Sequence, residues 1–304
     1  MTAAIAAVDW GTSSLRVWLL DAAGAILGER RSHEGMQVAR ETGFAGILER
    51  MLGELGAGPD LPAIVCGMAG ARQGWIEAPY ATVPARLGDV LAGAIRVPGV
   101  ARDIRIVPGL AQRSEAAPDV MRGEETQLAG AAAKLGGDGV ACLPGTHSKW
   151  VEIAGGAVTQ FRTMLTGELF ALLSGQSILK HSLDGAAAVD AGSAAFASGV
   201  ERGLQARALG SLFSIRAGGL LFDRKADESA ALLSGLLIGG EIAAVDRLFG
   251  LNKRVVTLVA SGRLRDLYER ALELANHGVH LVDADDAVRI GLFEAAGRAG
   301  MIKA

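Results

Sequence analysis

The sequence predicts a two-lobed α/β protein, and a repeated tetrapeptide is the main reason. The letters GTSS at residues 11–14 recur as GTHS at residues 145–148, each time between two apolar segments that predict strands. A tight turn of this kind exposes successive backbone amides, which together with hydroxyl side chains suit an anion. The chain has 304 residues, enough for two domains of about 150 residues each. We therefore expect one turn in each lobe, with a nucleotide's phosphates held in a cleft between the two.

The first copy of the turn lies in a predicted antiparallel meander that a helix follows. The apolar spacing of the helix and the alternation in the strands support this order. The predicted elements of this half are strands at 4–10, 15–20 and 25–31, a helix at 44–55, and strands at 62–66 and 104–107.

The same order of elements starts again at the second copy. Strands are predicted at 140–143, 149–153 and 157–164, and a helix at 167–179. Because both the turn and its surroundings recur, we interpret the chain as an internal duplication. We expect an N-terminal lobe at residues 1–120 and a C-terminal lobe at 121–304, with a last helix that can pack back on the first lobe.

The remaining segment predicts helices and a return to a sheet. A glycine turn, Ser261-Gly262, comes between a β-branched strand and a helix, where a ligand can approach the backbone closely. The predicted elements are helices at 193–209 and 228–249 with Gly218-Gly219 and Gly250 as punctuation, a strand at 255–260, a helix at 264–275, a strand at 279–282 and a helix at 287–299.

Composition excludes several classes of partner. With 30 basic and 33 acidic residues the net charge is -3, which offers no extended basic surface for nucleic acid. The longest uncharged stretch, 229–240, is too short to span a bilayer, and the N-terminus lacks the basic region of a signal peptide. Cys66 and Cys142 lie in apolar runs and read as small buried hydrophobes. We expect a cytoplasmic protein with no membrane role.

Asp9 is the candidate metal ligand. It ends the first strand just before the first turn, where a carboxylate can hold Mg²⁺ directly or through water, and the alternative role is a strand-end turn acid. Beside it, the turn residues Gly11, Thr12 and Ser13 are the first candidate phosphate ligands. Their hydroxyls can equally serve local turn hydrogen bonds.

The second turn supplies the matching candidates, Gly145, Thr146, His147 and Ser148. Hydroxyls of this turn could donate to phosphate oxygens, with local turn bonds as the alternative. His147 could touch phosphate or substrate, although a lone histidine is more often structural.

Two adjacent carboxylates are candidates for the general base of a phosphoryl transfer. Glu124 and Glu125 follow Gly123 at the start of a predicted helix, where the helix dipole favours the ionised form. A purely structural role at the helix start is the alternative, and the residues alone do not choose between the two side chains.

These segments resemble known protein families. The runs AAVDWGTSSLRVWLLD, LPGTHSKWVEI and VTLVASGRLRDLYERAL resemble the two phosphate loops and the adenosine segment of the sugar kinase, Hsp70 and actin superfamily. More closely, CGMAGARQGW, MRGEETQLAGA, FRTMLTGEL and LLSGLLIGGEI resemble the 2-dehydro-3-deoxygalactonokinase family. The resemblance implies two ribonuclease-H-like lobes of the actin-like ATPase fold, with a cleft between them that binds ATP and Mg²⁺. It also implies phosphorylation of the terminal hydroxyl of 2-dehydro-3-deoxy-D-galactonate.

The resemblance also assigns roles that the residues alone do not. It implies that Arg16 lies near the transferred phosphate and that Glu124 occupies the position of the base. Lys149, which follows the second turn, and the Ser261-Gly262 turn are expected at the nucleotide.

A sugar acid carries a carboxylate that needs cationic partners. Arg72, Arg122 and Arg162 lie in glycine-rich or turn-rich contexts, and Arg162 and Arg72 are the first choices for the substrate site. Trp75 is expected as a core residue or a wall of that site.

Other functions remain open at this point. Another 2-keto-3-deoxy sugar acid, such as 2-dehydro-3-deoxygluconate, could be the acceptor. A polyphosphate or nucleotide phosphohydrolase is suggested by the Gly-Glu-Glu segment, and an actin-like nucleotide-binding scaffold is a further alternative. We also expect that the protein can form a homodimer.

Overall fold

A computed structural model describes residues 2–302, which form two compact units. The first unit comprises the chain up to Asp138, Ile153–Gln160 and the chain from Asp283 onward, and the second comprises Gly139–Glu152 and Phe161–Val282. Residues 121–138 are thus grouped with the first unit. The predicted lobes at 1–120 and 121–304 stay a prediction.

The first unit contains ten strands and six helices among its described residues. The strands are β1 Ile5–Trp10, β2 Leu15–Leu20, β3 Ile26–Ser32, β4 Ala63–Gly67, β5 Tyr80–Thr82, β6 Ala85–Arg86, β7 Ile95–Arg96, β8 Ile104–Ile106, β9 Gly109–Gln112 and β10 Asp119–Met121. The helices are α1 Met36–Thr42, α2 Phe44–Glu54, α3 Leu87–Ala92, α4 Glu124–Gly130, α5 Ala132–Leu135 and, at the end of the chain, α12 Ala284–Arg298.

The second unit continues from β11. Its strands are β11 Gly139–Leu143, β12 Ser148–Ala154, β13 Ala157–Met164, β14 Val256–Val259 and β15 Val279–Val282. Its helices are α6 Thr166–Gln176, α7 Lys180–Leu183, α8 Ala194–Leu204, α9 Ala208–Phe222, α10 Ala226–Phe249 and α11 Gly262–Leu274. Residues 153–160, where β12 turns into β13, are grouped with the first unit.

The two units share one strand order. In the first the order is β3-β2-β1-β4-β8, with β7 at the edge, and in the second it is β13-β12-β11-β14-β15. In each unit the central strand pairs in parallel with the next strand outward: β1 with β4, and β11 with β14. The predicted duplication is therefore confirmed at the level of topology, and the two turns join equivalent antiparallel strands, β1 to β2 and β11 to β12.

Both faces of the first sheet are covered, which explains why β1 is apolar at almost every position. Val8 and Trp10 belong to one buried cluster with Ile47 of α2, whereas the alternate residue Ala7 packs on the other face with Leu292 of α12. Because a strand presents successive side chains to opposite faces, a strand buried between two helical layers loses its polar alternation.

The core of the second unit is built around α10. Its glycines Gly235 and Gly239 lie so close to α8 that an added Cβ would lie 2.2 Å from the carbonyl oxygen of Phe196 and 2.3 Å from that of Val200. This helix is long and apolar enough to cross a membrane, but 72% of its most apolar window is buried within the protein. Its composition is therefore that of a core helix.

Two features of the helical segment were predicted wrongly. The helix predicted at 193–209 ends at Leu204. A separate helix, α9, runs through the Gly218-Gly219 pair, which was expected to lie between helices. Gly218 is buried in α9, so close packing, and not a chain reversal, explains a glycine there. The two cysteines are free and buried, as predicted.

Candidate active site

The first turn follows β1 and connects it to β2. The Gly11 amide donates to the Ser14 carbonyl at 2.8 Å. The Gly11 and Thr12 carbonyls accept the first two amides of α1, from Met36 and Gln37, at 2.9 and 3.2 Å. Within residues 2–302, the amides of Thr12 and Ser13 have no hydrogen-bond partner, and both residues are exposed. The turn therefore offers donors that suit an anion.

The second turn is also held by an amide of the following helix, in its own unit. The Thr146 carbonyl accepts the Glu168 amide of α6 at 3.0 Å, while the amides of Gly145, Thr146 and His147 have no partner in the described part of the chain. The His147 ring lies 2.6 Å from the Glu168 carboxylate, which orients it.

A glycine supports each turn from behind. A Cβ on Gly35, just before α1, would lie 2.4 Å from the Thr12 carbonyl oxygen, and a Cβ on Gly167 in α6 would lie 2.4 Å from that of Gly145. Only a residue without a side chain lets the following helix approach so closely. The duplication thus extends to the helix that backs each turn.

Ser148 and Lys149 are less accessible than the turn itself. Both are buried, and the Ser148 hydroxyl donates to the Glu241 carboxylate at 2.7 Å instead of pointing outward. The Lys149 ammonium approaches the His147 carbonyl at 3.4 Å. Ser148 thus anchors the turn, and Lys149 lies directly beneath it.

Asp9 and Arg16 face each other across the strands that flank the first turn. They are paired residues of the β1–β2 ladder, so their side chains emerge on the same face. Burial raises the pKa of the Asp9 carboxyl above its usual range, and the positive charge of Arg16 opposes that shift, while Glu124 adds a repulsive contribution. The charges of Arg16 and Glu124 therefore both act on Asp9.

Asp285 completes this group, although nothing in the sequence pattern pointed to it. Its carboxylate forms an ion pair with Arg16 and a second with Arg31 at 3.0 Å. Asp285 lies in the first turn of α12, whose N-terminus is capped by the Asp283 carboxylate. The aspartates of this segment could have been noticed as helix-start residues, but not as partners of Arg16.

The two candidate bases differ sharply in their surroundings. Glu124 is half-buried, and its carboxylate accepts the Arg122 amide at 3.0 Å. Glu125 is fully buried and accepts the Gly123 amide at 2.7 Å and the Thr126 hydroxyl at 3.0 Å. Burial, with repulsion from Glu124, raises the pKa of Glu125 to about 8. Glu124 is thus the more accessible of the two.

A cavity of about 350 Å³ lies beside the second turn within the second unit. Its lining includes Gly145, Thr146, Phe170, Ile238 and Arg263. Apolar walls with a few polar groups at one end suit a planar ligand that carries phosphates. Ser261 and Gly262, which were predicted at the nucleotide, are not among the lining residues, although the next residue, Arg263, is. Gly262 begins α11 with a positive φ of +59°.

The predicted substrate residues are divided between the two units. Arg72 is exposed on the first unit, and Arg162 is half-buried in the second, where its guanidinium donates to the Phe161 carbonyl at 2.7 Å. Trp75 is half-buried and stacks on Phe44 at 5.7 Å between ring centroids.

Arg122, the third arginine considered, is held inside the first unit. It donates to the Ala78 carbonyl at 2.7 Å and lies 4.2 Å from the centroid of the Tyr80 ring. Its guanidinium therefore packs against the Ala78–Tyr80 segment of the same unit.

The surroundings of Asp9 fit a magnesium ion. The carboxylate is a hard oxygen ligand whose burial favours the neutral form, a cost that a cation would offset. Among residues 2–302, no cluster of three or more metal-ligating side chains occurs. Mg²⁺ commonly uses only one or two carboxylates and completes its coordination with water and phosphate oxygens.

Comparison with known proteins gives a consistent result. The family model described as 2-keto-3-deoxy-galactonokinase matches residues 9–295. A relative from Rhizobium meliloti (strain 1021), named "Probable 2-dehydro-3-deoxygalactonokinase DgoK1", is 53% identical over 294 residues, 96% of each chain. The Escherichia coli (strain K12) 2-dehydro-3-deoxygalactonokinase is 36% identical over 295 residues, 96% of this chain and 97% of that one.

Solved structures agree on the fold. A crystal structure from Sinorhizobium meliloti that carries the same enzyme name has a TM-score of 0.93 at 52% identity and covers 96% of this chain and 98% of its own. The activator of 2-hydroxyisocaproyl-CoA dehydratase from Clostridium difficile, with bound ADPNP, has a TM-score of 0.55 at 12% identity and shows similarity of fold alone, with 97% and 95% coverage. The predicted actin-like sugar kinase fold is thereby confirmed. Since the family model and full-length relatives both match, this chain belongs to the 2-keto-3-deoxy-galactonokinase family.

Proposed function

We propose that the protein transfers the γ-phosphoryl group of ATP to the terminal hydroxyl of 2-dehydro-3-deoxy-D-galactonate, which yields the 6-phosphate. The chain is a kinase of this family over its whole length. The observation that carries the mechanism is that Asp9 and Arg16 are paired across β1 and β2, where the charges of Arg16 and Glu124 both act on Asp9. Phosphoryl transfer needs a metal ligand, a cation near the transferred group and a proton acceptor.

Glu124 is the proposed general base. Its carboxylate is half-buried, and the Arg122 amide holds it by a hydrogen bond of 3.0 Å. It would accept the proton of the sugar hydroxyl as that oxygen attacks phosphorus. Glu125 suits this role less because its oxygens are occupied and its pKa of about 8 keeps it protonated at neutral pH.

Arg16 and the first turn would stabilise the transferred group. The guanidinium, which Asp285 orients, would lie beside the phosphate oxygens, while the unpartnered amides of Thr12 and Ser13 offer further donors. Such fixed donors are most effective where negative charge develops in the transition state. Asp9 would hold Mg²⁺, which when bound offsets charge on the phosphates and helps to align them.

The second unit would hold the nucleotide. The amides of Gly145, Thr146 and His147, which have no partner in the described part of the chain, would donate to phosphate, and the adjoining cavity of about 350 Å³ suits adenosine. We propose that Lys149 supplies positive charge beneath this turn and that Ser261 and Gly262 let the ligand approach the start of α11.

Arg72, Arg162 and Trp75 stay proposed substrate residues. Arg72 is exposed and Arg162 half-buried, so both cations can reach an anionic ligand. Trp75 offers a half-buried aromatic face beside Phe44. A sugar acid needs a cation for its carboxylate and apolar surface for its deoxy carbon.

We further propose that the protein works in the cytoplasm as a homodimer, without nucleic acid or membrane partners. The outer side of α9 carries Leu209, Phe213, Leu220 and Leu221, which are 88%, 65%, 62% and 71% exposed. Its opposite side, with Ile215, is buried, so this helix is apolar on both sides. We call the four exposed residues the α9 face.

The size of the α9 face favours a second copy of this chain as its partner. With the neighbouring Phe222, 78% exposed, it offers on the order of 550 Å², at about 150 Å² for each fully exposed large side chain. Stable complexes bury roughly 800 Å² on each partner. A two-fold symmetric contact would pack this patch against itself.

One assay tests the enzymatic proposal. The protein is mixed with MgATP and a panel of 2-keto-3-deoxy sugar acids, and ADP is measured with and without each acceptor. We expect acceptor-dependent ADP with the galactonate epimer. A preference of more than about tenfold for 2-dehydro-3-deoxygluconate would reassign the substrate. ADP release that ignores every acceptor would favour a phosphohydrolase, and nucleotide-dependent polymerisation would favour a scaffold.

A further inference from the structure

A buried carboxylate in α10 joins the parts of the proposed nucleotide site. Glu241 is 4% exposed, and its Oε1 accepts the Ser148 hydroxyl at 2.7 Å and the Trp150 indole N–H at 2.6 Å. Its Oε2 accepts the Tyr268 hydroxyl at 2.8 Å, and the Thr166 hydroxyl also hydrogen-bonds this carboxylate. Four donors from three segments of the chain, β12, α6 and α11, therefore meet on one side chain.

These donors belong to the walls of the site. Ser148 ends the second turn, and Thr166 and Tyr268 line the cavity beside that turn. Thr166 begins α6 and Tyr268 lies in α11, so Glu241 ties both helices to the turn. The turn presents the amides that would bind phosphate, and the two helices shape the cavity that would bind adenosine.

Stability alone does not account for a carboxylate here. Among the described residues no lysine, arginine or histidine forms an ion pair with Glu241, and a buried carboxylate without a cation is costly to desolvate. Burial raises the pKa of Glu241, although its four donors oppose the shift. Apolar packing would fill this position at lower cost, whereas a fully hydrogen-bonded network imposes one geometry on the groups it joins.

We infer that Glu241 is a positioning residue for ATP: it holds the second turn and the two cavity walls at a fixed spacing, so that nucleotide binds without reorganising them. This inference deepens the proposed function and rests on it. It also explains the glutamate in the segment LLSGLLIGGEI, at residues 232–242, whose glycines serve the packing of α10 against α8.

The test uses the full chain with Glu241→Gln and Ser148→Ala. Glutamine keeps the shape of the side chain and one acceptor oxygen, and Ser148→Ala removes only the link to the turn. Isothermal titration with MgATP, without a sugar acid, should give a Kd raised about tenfold in each variant. Because Ser148 acts through the Glu241 carboxylate, adding Ser148→Ala to Glu241→Gln should weaken binding less than Ser148→Ala does by itself.

A matched control separates positioning from stability. Val245 lies one turn further along α10, is fully buried, and does not itself line the cavity. Val245→Ala should lower Tm at least as much as Glu241→Gln while its Kd for MgATP stays within about twofold of the original. The KM for ATP should rise in Glu241→Gln more than kcat falls.

The outcomes are distinct. An unchanged Kd in Ser148→Ala and Glu241→Gln, or an equal loss of binding in Val245→Ala, would overturn the inference. If Glu241→Gln fails to fold, Ser148→Ala and Tyr268→Phe decide the question alone. If the unsubstituted protein binds MgATP but phosphorylates no sugar acid, the proposed function fails while the role of Glu241 is still tested. If it binds no MgATP, both fail.

Discussion

Arg16 and Asp285 form an ion pair in the first unit, although 269 positions separate them along the chain. The pair exists because α12 returns to the sheet that contains β2 and presents its first turn there. Arg31, the cross-strand neighbour of Arg16, reaches the same carboxylate. The arginine proposed to meet the transferred phosphate is thus oriented before any ligand binds.

Substituting Asp285→Asn should lower kcat about tenfold, because Arg16 would lose the partner that orients it. The two side chains are 28% and 31% exposed, so the pair stabilises the fold by under about 1 kcal/mol and Tm should hardly change. Asp286→Asn is the matched control, since Asp286 lies next on the helix and pairs only with Arg289 among the ion pairs of the described residues. Equal losses of kcat in the two variants would contradict a specific role for Asp285.

Substituting Glu124→Gln should lower kcat by at least about a hundredfold, while the Kd for ATP stays unchanged, because an amide cannot accept the hydroxyl proton. Single-turnover measurement of phosphoryl transfer checks this directly. Glu125→Gln is the control one residue away and should retain most of the activity. The reverse ranking would move the base to Glu125.

Substituting Asp9→Asn should raise the Mg²⁺ concentration needed for half-maximal activity about tenfold, because the site would lose its charged ligand. Binding of Mn²⁺ as a spectroscopic substitute should weaken in parallel. Cys66→Ala is a suitable control, because the Cys66 thiol lies 3.8 Å from the Asp9 carboxylate and its loss keeps the ligand. An unchanged metal dependence in Asp9→Asn would remove Asp9 from the metal site.

The raised pKa of Glu125 predicts a specific pH dependence of stability. Burial and then Glu124 raise this pKa from 4.5 to about 8, so between these values the folded chain keeps a proton that the unfolded chain releases. The group's contribution to stability is full below pH 4.5 and is lost as the pH rises through about 8. Relative to Glu125→Gln, the unsubstituted protein should therefore lose up to about 1.4 kcal/mol of unfolding free energy for each pH unit in this window. Urea unfolding from pH 4 to 9 measures the difference, and a difference that does not vary with pH would refute this assignment.

Substituting Phe213→Glu in the α9 face should convert a dimer to a monomer, because a buried charge without a partner is costly at a symmetric contact. Sedimentation equilibrium gives the mass of each form. Ile290→Glu is a control at a surface apolar residue of the other unit, 45% exposed, and should leave the mass unchanged. If sedimentation equilibrium gives the mass of a monomer for the unsubstituted protein, the dimer proposal is wrong. If the unsubstituted protein binds lipid vesicles and Phe213→Glu does not, the α9 face would be a membrane contact instead.

Local pattern was sufficient for several parts of this protein. The two turns, the strands on either side of them and the position of Asp9 before the first turn follow from apolar runs interrupted by Gly-Thr. The order of the duplicated strands also followed, because hairpin connections place consecutive strands side by side. These features depend on residues that are close together in the chain.

The sequence by itself determined the duplicated strand-turn-strand framework and the chemical types present at each turn. Tertiary structure decided which side chains serve those turns: it paired Arg16 with Asp285, turned the Ser148 hydroxyl inward to Glu241, and buried Glu125 while leaving Glu124 accessible. Each of these outcomes depends on helices packing against a sheet from distant parts of the chain. Burial and hydrogen-bond partners, which set charge and orientation, arise only from that packing.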